Sequence, residues 1–460
     1  MNEQPTPPSG PVRPRSGTLL PHLPLPRQPI RWRRVLANVW YMFWPQLHAG
    51  QSDAERNLAM LRVSPFWSSV LNAAVSFNST FAVRLGASNQ LIGLLSSVPA
   101  LLVVLLTLPA ARFLEGRQDR LRWIAGSVFV YRLGYLAIAL MPFFVREHRA
   151  EVFVAIILLS QVVLAPNNAG WNALLADMVP PEKRAPLFAY RNILFNAGTA
   201  VITPLIGRML DRVVFPLGYQ IAYGLGFAIA LINSWLIFGL RPPPPVAPPP
   251  RAATRQPWSK ERIRALAAAN RPYIRMVVNT LVLDMGAWLV GPLYMIYYLR
   301  HLGASDSWVG TATALSTVSV MVGYYIWQKV IRRQGESKVL RWTVLSVGFY
   351  PLAVALTPSL SPLLLAVIIN GVLTPGIGLS HFNILLQVCP AERRASYTSL
   401  YTVLMNAGAF VAPMVGVALA GAIGFKTVFI IGALLRTLGA ILFWVWPVPA
   451  PEIEPATARP

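Results

Sequence analysis

Windows of about 20 mainly apolar residues, the length of helix that crosses a ~30 Å hydrocarbon core, recur in this sequence from Leu61 to Trp446. A backbone in lipid has no water to bond, so each window must satisfy its own hydrogen bonds as a helix. The windows fall at 63–83, 89–111, 122–144, 152–176, 186–207 and 219–240, and again at 273–299, 305–327, 340–358, 362–388, 397–420 and 426–446. Composition agrees: 55% of residues are hydrophobic and 12% charged, against about a quarter charged in soluble proteins.

The two sets of six are related. RLGASNQLIG at 84–93 returns as HLGASDSWVG at 301–310, and LRW at Leu121–Trp123 returns at Leu340–Trp342. LAIALMP ending at Pro142 returns as LAVALTP ending at Pro358, and Pro180, Glu182, Arg184, Asn196 and Gly198 return as Pro390, Glu392, Arg394, Asn406 and Gly408. A period this long makes the repeat a half-protein and not a solenoid unit. The expected fold is an all-α polytopic membrane protein, with twelve transmembrane helices in two pseudo-symmetric six-helix bundles.

A net charge of +23 suggests nucleic acid until the 40 Lys and Arg residues are located. With the N-terminus in the cytoplasm and Arg122, Arg275 and Arg341 at the inner ends of their windows counted with the inner side, 30 fall there and seven (Arg84, Arg146, Arg149, Arg208, Arg212, Arg300, Lys426) in outer loops, leaving Arg132, Arg191 and Arg436 within spans. That asymmetry is the positive-inside pattern of a membrane protein. The lipid bilayer, not nucleic acid, is therefore the expected partner, in a multi-pass cell-membrane protein with both termini cytoplasmic.

Outside the spans, residues 1–60 form a Pro- and Arg-rich tail without the apolar stretch of a cleavable signal, so the first span is expected to do the targeting. RWRRVLANVWYMFW at 31–44 is too short to span, and its arginines and aromatic rings suit the headgroup zone. The first bundle then runs over 61–240, a Pro-rich cytoplasmic linker over 241–270, the second bundle over 271–447 and a cytoplasmic tail over 448–460. A single cysteine, Cys389, excludes a disulfide framework. With no zinc-ligand spacing and no phosphate-cradling GxxxxGK[ST], neither metal, cofactor nor ATP is expected.

Two six-helix halves joined by a long basic inner loop resemble the major facilitator superfamily over roughly residues 61–447. NALLADMVPPEKRAPLFAYRNILFNAG at 172–198 is similar to the fourth inner connection of many bacterial members, and PAERRASYTSLYTVLMNAG matches it in the second half. The family's inner-loop signature is degenerate here: in ARFLEGRQDR, Ala111 stands at the first glycine, Glu115 at the acid and Gln118 at the second glycine, while Arg120 keeps a basic position. In VIRRQGESK only Gly335 and its basic neighbours survive. The resemblance implies an inner-loop gate of Glu115, Arg120, Glu182, Arg184, Gly335, Glu392 and Arg394.

Polar side chains in a bilayer cost free energy, so their alignment is informative. Ser68, Asn72 and Ser76 share one stripe; Gln161, Asn168 and Asn172 another; Asn192, Asn196, Thr199 and Thr203 a third. The second half offers Asn279 with Asp284, Thr313 with Thr317, Asn370 with Thr374 and His381, and Thr398 and Thr402 with Asn406. Each serves either as interhelical glue worth about 0.6 kcal/mol or as cavity lining, and these stripes fall on helices that line the central cavity in the resembling family. The candidate cavity set is Asn72, Ser76, Gln161, Asn168, Asn172, Asn192, Asn196, Asn279, Thr317, Asn370, His381 and Asn406. Asp284 is the acid set deep in a span, either an ion-coupling group or the structural partner of Arg436.

The expected function is secondary transport by alternating access, carried out by a monomer on a small organic solute, with protons as the candidate coupling ion. Mostly amide and hydroxyl cavity candidates lean the expectation toward a neutral or weakly amphipathic solute. A transport-inactive scaffold or sensor, or a polytopic membrane enzyme, is the alternative, and uptake into proteoliposomes separates these. The charge pattern predicts that Ser259→Cys, in the linker, resists impermeant thiol reagents in intact cells while Ala87→Cys reacts. Labelling of Ser259→Cys from outside would reverse the orientation.

Overall fold

The computed structural model describes residues 44–48, 50–115, 117–243, 270–390 and 394–448. Every regular element among them is a helix. In the first half α1 (Asp53–Val75) and α2 (Asn78–Arg84) make the first span, α3 (Asn89–Glu115) the second and α4 (Arg120–Phe144) the third. The fourth is α5 (Arg149–Val163) with α6 (Ala165–Met178), followed by α7 (Pro181–Arg212) and α8 (Leu217–Phe238). In the second half come α9 (Arg271–Arg300), α10 (Asp306–Gln334), the paired α11 (Glu336–Ser346) and α12 (Phe349–Leu356), α13 (Leu360–Val388), α14 (Arg394–Ile423) and α15 (Phe425–Val445).

Among the described residues, eleven helical stretches, with α5–α6 and α11–α12 each taken as one, are long and apolar enough to cross a membrane by length and composition. The first span falls short of that measure because α1 ends at Val75, separated from α2 at Ser76 and Phe77, and its apolar part carries Arg62, Asn72 and three serines. It also begins ten residues before the expected 63, and the cause is visible in SDAE. Ser52 Oγ accepts the Glu55 N–H at 3.3 Å while the Ser52 N–H donates to Glu55 Oε2 at 3.0 Å, a reciprocal cap that starts the helix. The expected 1–60 tail is shortened accordingly: Met60 is buried, and Asn57 Nδ2 donates to Arg241 O at 2.7 Å. The fourth span breaks at Leu164 because Pro166, in the first turn of α6, has no N–H to give the preceding turn. The expected interfacial segment at 31–44, except its last residue, and nearly all of the 241–270 linker lie outside the described residues.

The repeat in sequence returns as a repeat in packing. The first helix of each half lies against the fifth and sixth of its own half, α1 on α7 and α8, and α9 on α14 and α15. Between halves the second helix of each meets the fifth of the other, α3 on α14 and α10 on α7. Glycines permit these approaches: a Cβ on Gly207 of α7 would stand 2.5 Å from Asp306 O, and one on Gly310 of α10 2.8 Å from Thr203 O.

The apolar core is continuous at one face and divided at the other. Where the chain turns at residues 85–88 and 301–305, one cluster takes in Phe77, Phe81, Tyr219 and Tyr223 from the first half with Leu293, Tyr297 and Phe429 from the second. Toward the opposite face there are two separate clusters. One holds only first-half residues, such as Met60, Leu114 and Leu174, and the other only second-half residues, such as Tyr273, Leu340 and Phe443. We call these the closed and open faces.

Ala87 sits at the closed face with 1% exposure, so the expectation that it is freely reactive is corrected. His148, in the loop between α4 and α5, has 76% of its side chain exposed and is the better topological probe. A second test concerns packing within the second half, where a Cβ on Gly416 would collide with the Leu289 carbonyl oxygen. Gly416→Ala is expected to cost about 1–3 kcal/mol or more and lower the thermal midpoint of the purified protein. Gly421→Ala, on the same helix with nothing near its Cβ, should leave the midpoint unchanged or higher; equal effects would refute the close packing of α9 on α14.

Candidate substrate cavity and closing contacts

The repeated GAS loops, whose likeness is plain in sequence, meet each other at the closed face. Arg84 Nε, at the end of α2, pairs with Asp306 Oδ1 at 3.0 Å, and the Tyr219 hydroxyl donates to the same oxygen at 2.8 Å. In the reverse direction Arg300, at the end of α9, donates from Nη1 to Asn89 Oδ1 at 2.6 Å and from Nη2 to Ala87 O. Asn89 and Asp306 occupy matching places in the repeat, whereas the donors do not, since Arg84 aligns with His301 and Arg300 stands one residue earlier. Asp211 adds a third tie, accepting the Asp306 N–H at 2.8 Å and the Ser307 N–H at 3.0 Å. A carboxylate from the first half thus caps free N–H groups at the positive end of α10 in the second.

Below this clasp, α1, α4, α6, α7 and α8 enclose a cavity of about 320 Å³ in the first half. Of the sequence candidates, Asn72 and Asn192 line it, and Asn72 Nδ2 also donates to Thr199 Oγ1 at 3.3 Å. Arg132, Asn167, Trp171, Arg191 and Asn233 line it as well, none of them named by sequence stripes. A signal for Arg132 and Arg191 was present: both are arginines within apolar windows. Arg132 donates to Ala230 O at 2.9 Å and to Ser234 and Asn233, while Arg191 donates to Leu61 O and, at 3.0 Å, to Ser64 Oγ.

The other candidates are distributed more widely. Ser76 bonds Asn72 O at 3.1 Å and Asn196 bonds Asn192 O at 2.8 Å, each returning its polar group to its own helix. Thr317 and Asn406 do the same with Thr313 O and Thr402 O, both at 2.9 Å. Gln161 and Asn370 are half-buried. Asn168 and Asn172 are exposed and outside the cavity wall, where Asn167 takes the place expected of Asn168. The expectation for Asn279 needs correction: it is fully buried and donates to Leu442 O at 3.3 Å and Trp446 O at 3.1 Å, which ties α9 to α15 and keeps it from any solute.

In the second half His381 Nε2 meets the Thr280 hydroxyl at 2.8 Å and the Tyr401 hydroxyl at 3.3 Å. Asp284 lies on α9 near this group, half-buried, and no hydrogen bond reaches its carboxylate among the described residues. Arg436, the expected structural partner, does not come within the 4.0 Å of an ion pair with it. The Arg436 stem packs instead over Gly286 of α9, where an added Cβ would come within 2.8 Å of its Cγ.

At the open face one residue of the expected gate, Arg184, bonds within its own half, and so does Glu336, the neighbour of Gly335. Arg184 Nε and Nη2 donate to Val179 O at 2.9 Å and Ala176 O at 2.7 Å, finishing α6. Glu336 accepts from Asn383 at 2.6 Å and Gln387 at 2.7 Å. Glu115, Glu182 and Arg394 are exposed, Arg120 is half-buried, Gly335 ends α10 with φ +79°, and Glu392 lies outside the described residues.

Comparison with known proteins places this geometry. The sequence model of the Major Facilitator Superfamily matches residues 63–282 and again 276–460. The quinolone resistance protein NorA of Staphylococcus aureus is 23% identical over 231 residues, which cover 48% of this chain and 57% of that protein. The match thus spans little more than half the length of that relative. The structure of the nucleoside transporter NupG superposes with a TM-score of 0.65 at 15% identity, covering 85% of this chain and 99% of that one. A bacterial homologue of the iron transporter ferroportin, in an inward-facing state, gives 0.66 at 15% identity over 85% and 98%. These structural likenesses establish a shared fold.

The clasp makes its own prediction. Asp306→Ala removes the acceptor of both Arg84 and Tyr219, and because Arg84 is 35% exposed the loss is discounted to on the order of 1 kcal/mol. Ala87→Cys should then react about fivefold faster with a thiol reagent in the Asp306→Ala protein than without that change. Cys389 is 3% exposed and contributes little background. An unchanged rate would show that the clasp does not hold the closed face.

Proposed function

The chain belongs to the Major Facilitator Superfamily, a family of membrane transporters and not of enzymes, and we propose that it moves a small organic solute across the cell membrane by alternating access. The observation that carries this reading is the division of the core. One apolar cluster joins the halves at the closed face, while each half has a cluster of its own toward the open face. Two bodies with separate cores can rotate about their common end without unfolding either one.

The closed face is assigned to the outside, and both termini and the 241–270 linker to the cytoplasm, because the Lys and Arg residues concentrate on loops of the open face. The cavity beneath the clasp, with Asn72 and Asn192 in its wall, is then reached from the cytoplasm. The chain acts as a monomer, since each half finds its partner within it.

Asp284 is the proposed coupling residue. A carboxylate placed in a membrane helix, with no donor and no paired cation among the described residues, suits a group that gains and loses a proton during the cycle. Asp284→Asn is expected to fold with a thermal midpoint close to that of the unaltered protein. In proteoliposomes it should abolish uphill accumulation against a pH gradient while downhill flux and exchange persist, because the amide imitates the protonated acid but cannot cycle. A marked loss of stability, rescued when Arg436 is also neutralised, would reassign Asp284 to structure. A stable Asp284→Asn protein that still concentrates solute with an unchanged pH profile would remove it from coupling.

A further inference from the structure

The cavity of the first half holds charge that the protein does not answer. Arg132 is 3% exposed and spends its guanidinium on neutral acceptors, a main-chain carbonyl, a serine hydroxyl and an asparagine oxygen. Arg191 lies 5.7 Å from the ring centre of Trp171 and donates only from Nη1, to Leu61 O and Ser64 Oγ. Its Nε and Nη2 meet no acceptor among the described residues.

The two cations form one site. Asn233 accepts from Arg132 through Oδ1 and donates through Nδ2 to Ser64 O, while the hydroxyl of the same Ser64 accepts from Arg191. No aspartate or glutamate lines the cavity, and none pairs with either arginine among the described residues.

This arrangement is costly unless something else completes it. A guanidinium does not shed its proton at physiological pH, so burial cannot neutralise it as it would a carboxyl. Hydrogen bonds to neutral groups recover only part of the desolvation cost, and an unpaired ion within a membrane protein marks a ligand or ion pathway. A cationic solute would meet repulsion from two fixed charges. A neutral one would leave the free donors of Arg191 unmatched.

We propose that the cavity binds the anionic group of the transported solute, an organic oxyanion. Arg191 Nε and Nη2 are the donors to its oxygens, in the paired geometry that guanidinium offers to carboxylate and phosphate. Arg132 supplies the second fixed charge, and Trp171, Tyr131 and Phe195 face the apolar body. A volume of about 320 Å³ lies at the small end of ligand sites, which suits a single ring or a short chain. An organic oxyanion departs from the neutral alternative within the sequence expectation of a neutral or weakly amphipathic solute. That expectation rested on the amides and hydroxyls of the polar stripes and left both arginines out.

The inference depends on the transport proposal for taking this cavity as the solute's, but equilibrium binding tests it without transport. Purified full-length protein is titrated with benzoate and phenylphosphate, and with benzamide and benzylammonium as neutral and cationic counterparts. Tryptophan fluorescence and thermal midpoint are read together. Both anions are expected to bind roughly tenfold or more tightly than benzamide, and benzylammonium not at all. Arg191→Gln should lose that tenfold preference, while Arg191→Lys, which keeps the charge but not the fork, should retain part of it. If Arg191→Gln fails to fold, Arg191→Lys carries the comparison through its weakened anion binding.

Benzamide or benzylammonium binding as tightly as benzoate, no binding of either anion, or unaltered anion affinity in a folded Arg191 variant would each overturn the proposal. Selective anion binding by a protein that moves no solute in proteoliposomes would leave this inference standing and defeat the transport proposal instead.

Discussion

Asp306 is a carboxylate with 5% of its side chain exposed, seated where the two halves of the chain touch, and both halves are needed to keep it there. Arg84 and Tyr219 come from the first half to its oxygens, and Asp211, also from the first half, takes the main-chain N–H groups beside it. With the halves together, any one of these partners lost leaves a buried acid short of a donor, which is more costly than the same loss in water. The glycine contacts of Gly207 and Gly310 follow from this seat, since α7 and α10 must approach to backbone distance for the bonds to form. The closed face, the continuous core beneath it and the divided cores beyond it are arranged around this junction.

Much of this architecture was legible in the sequence because lipid leaves few options. A helix is the only open-chain form that satisfies its backbone there, so span number and order follow from apolar windows. The duplicated GAS loops contain residues that meet at the closed face, Asn89 and Asp306 among them, although nothing in a repeat tells that its copies bond to each other. What escaped was the assignment of polar residues to glue or cavity. Asn279 and Asn72 look alike in a helical stripe, yet the first is spent on carbonyls of α15 and the second faces the cavity. That choice depends on the rotation of each helix against neighbours distant in sequence. Arg132 and Arg191 were visible as charges within apolar windows, but only the structure shows that neither has a carboxylate beside it and that Asn233 and Ser64 link them.

The two halves are similar in packing and unlike in chemistry. The first concentrates cations around its cavity, whereas the second carries Asp284 on its first helix with Arg436 opposite. Such a division suits a carrier in which one half holds the solute and the other senses the coupling ion, with the seam transmitting between them. The transmission need not be a wire of contacts. A rigid half with its own core moves as a body, and a bias at either site shifts the same two-state equilibrium.

The central claim is that the halves rock about a common end, so that one face closes as the other opens. Paired spin labels measure this directly, at His148 and Ser359 across the closed face and at Gln118 and Gln334 across the open face, in the full-length protein in lipid. The account predicts opposed shifts: any change of pH, temperature or added solute that lengthens the His148 to Ser359 distance shortens the Gln118 to Gln334 distance. Two distances that lengthen together, or one that changes while the other stays fixed, would contradict it.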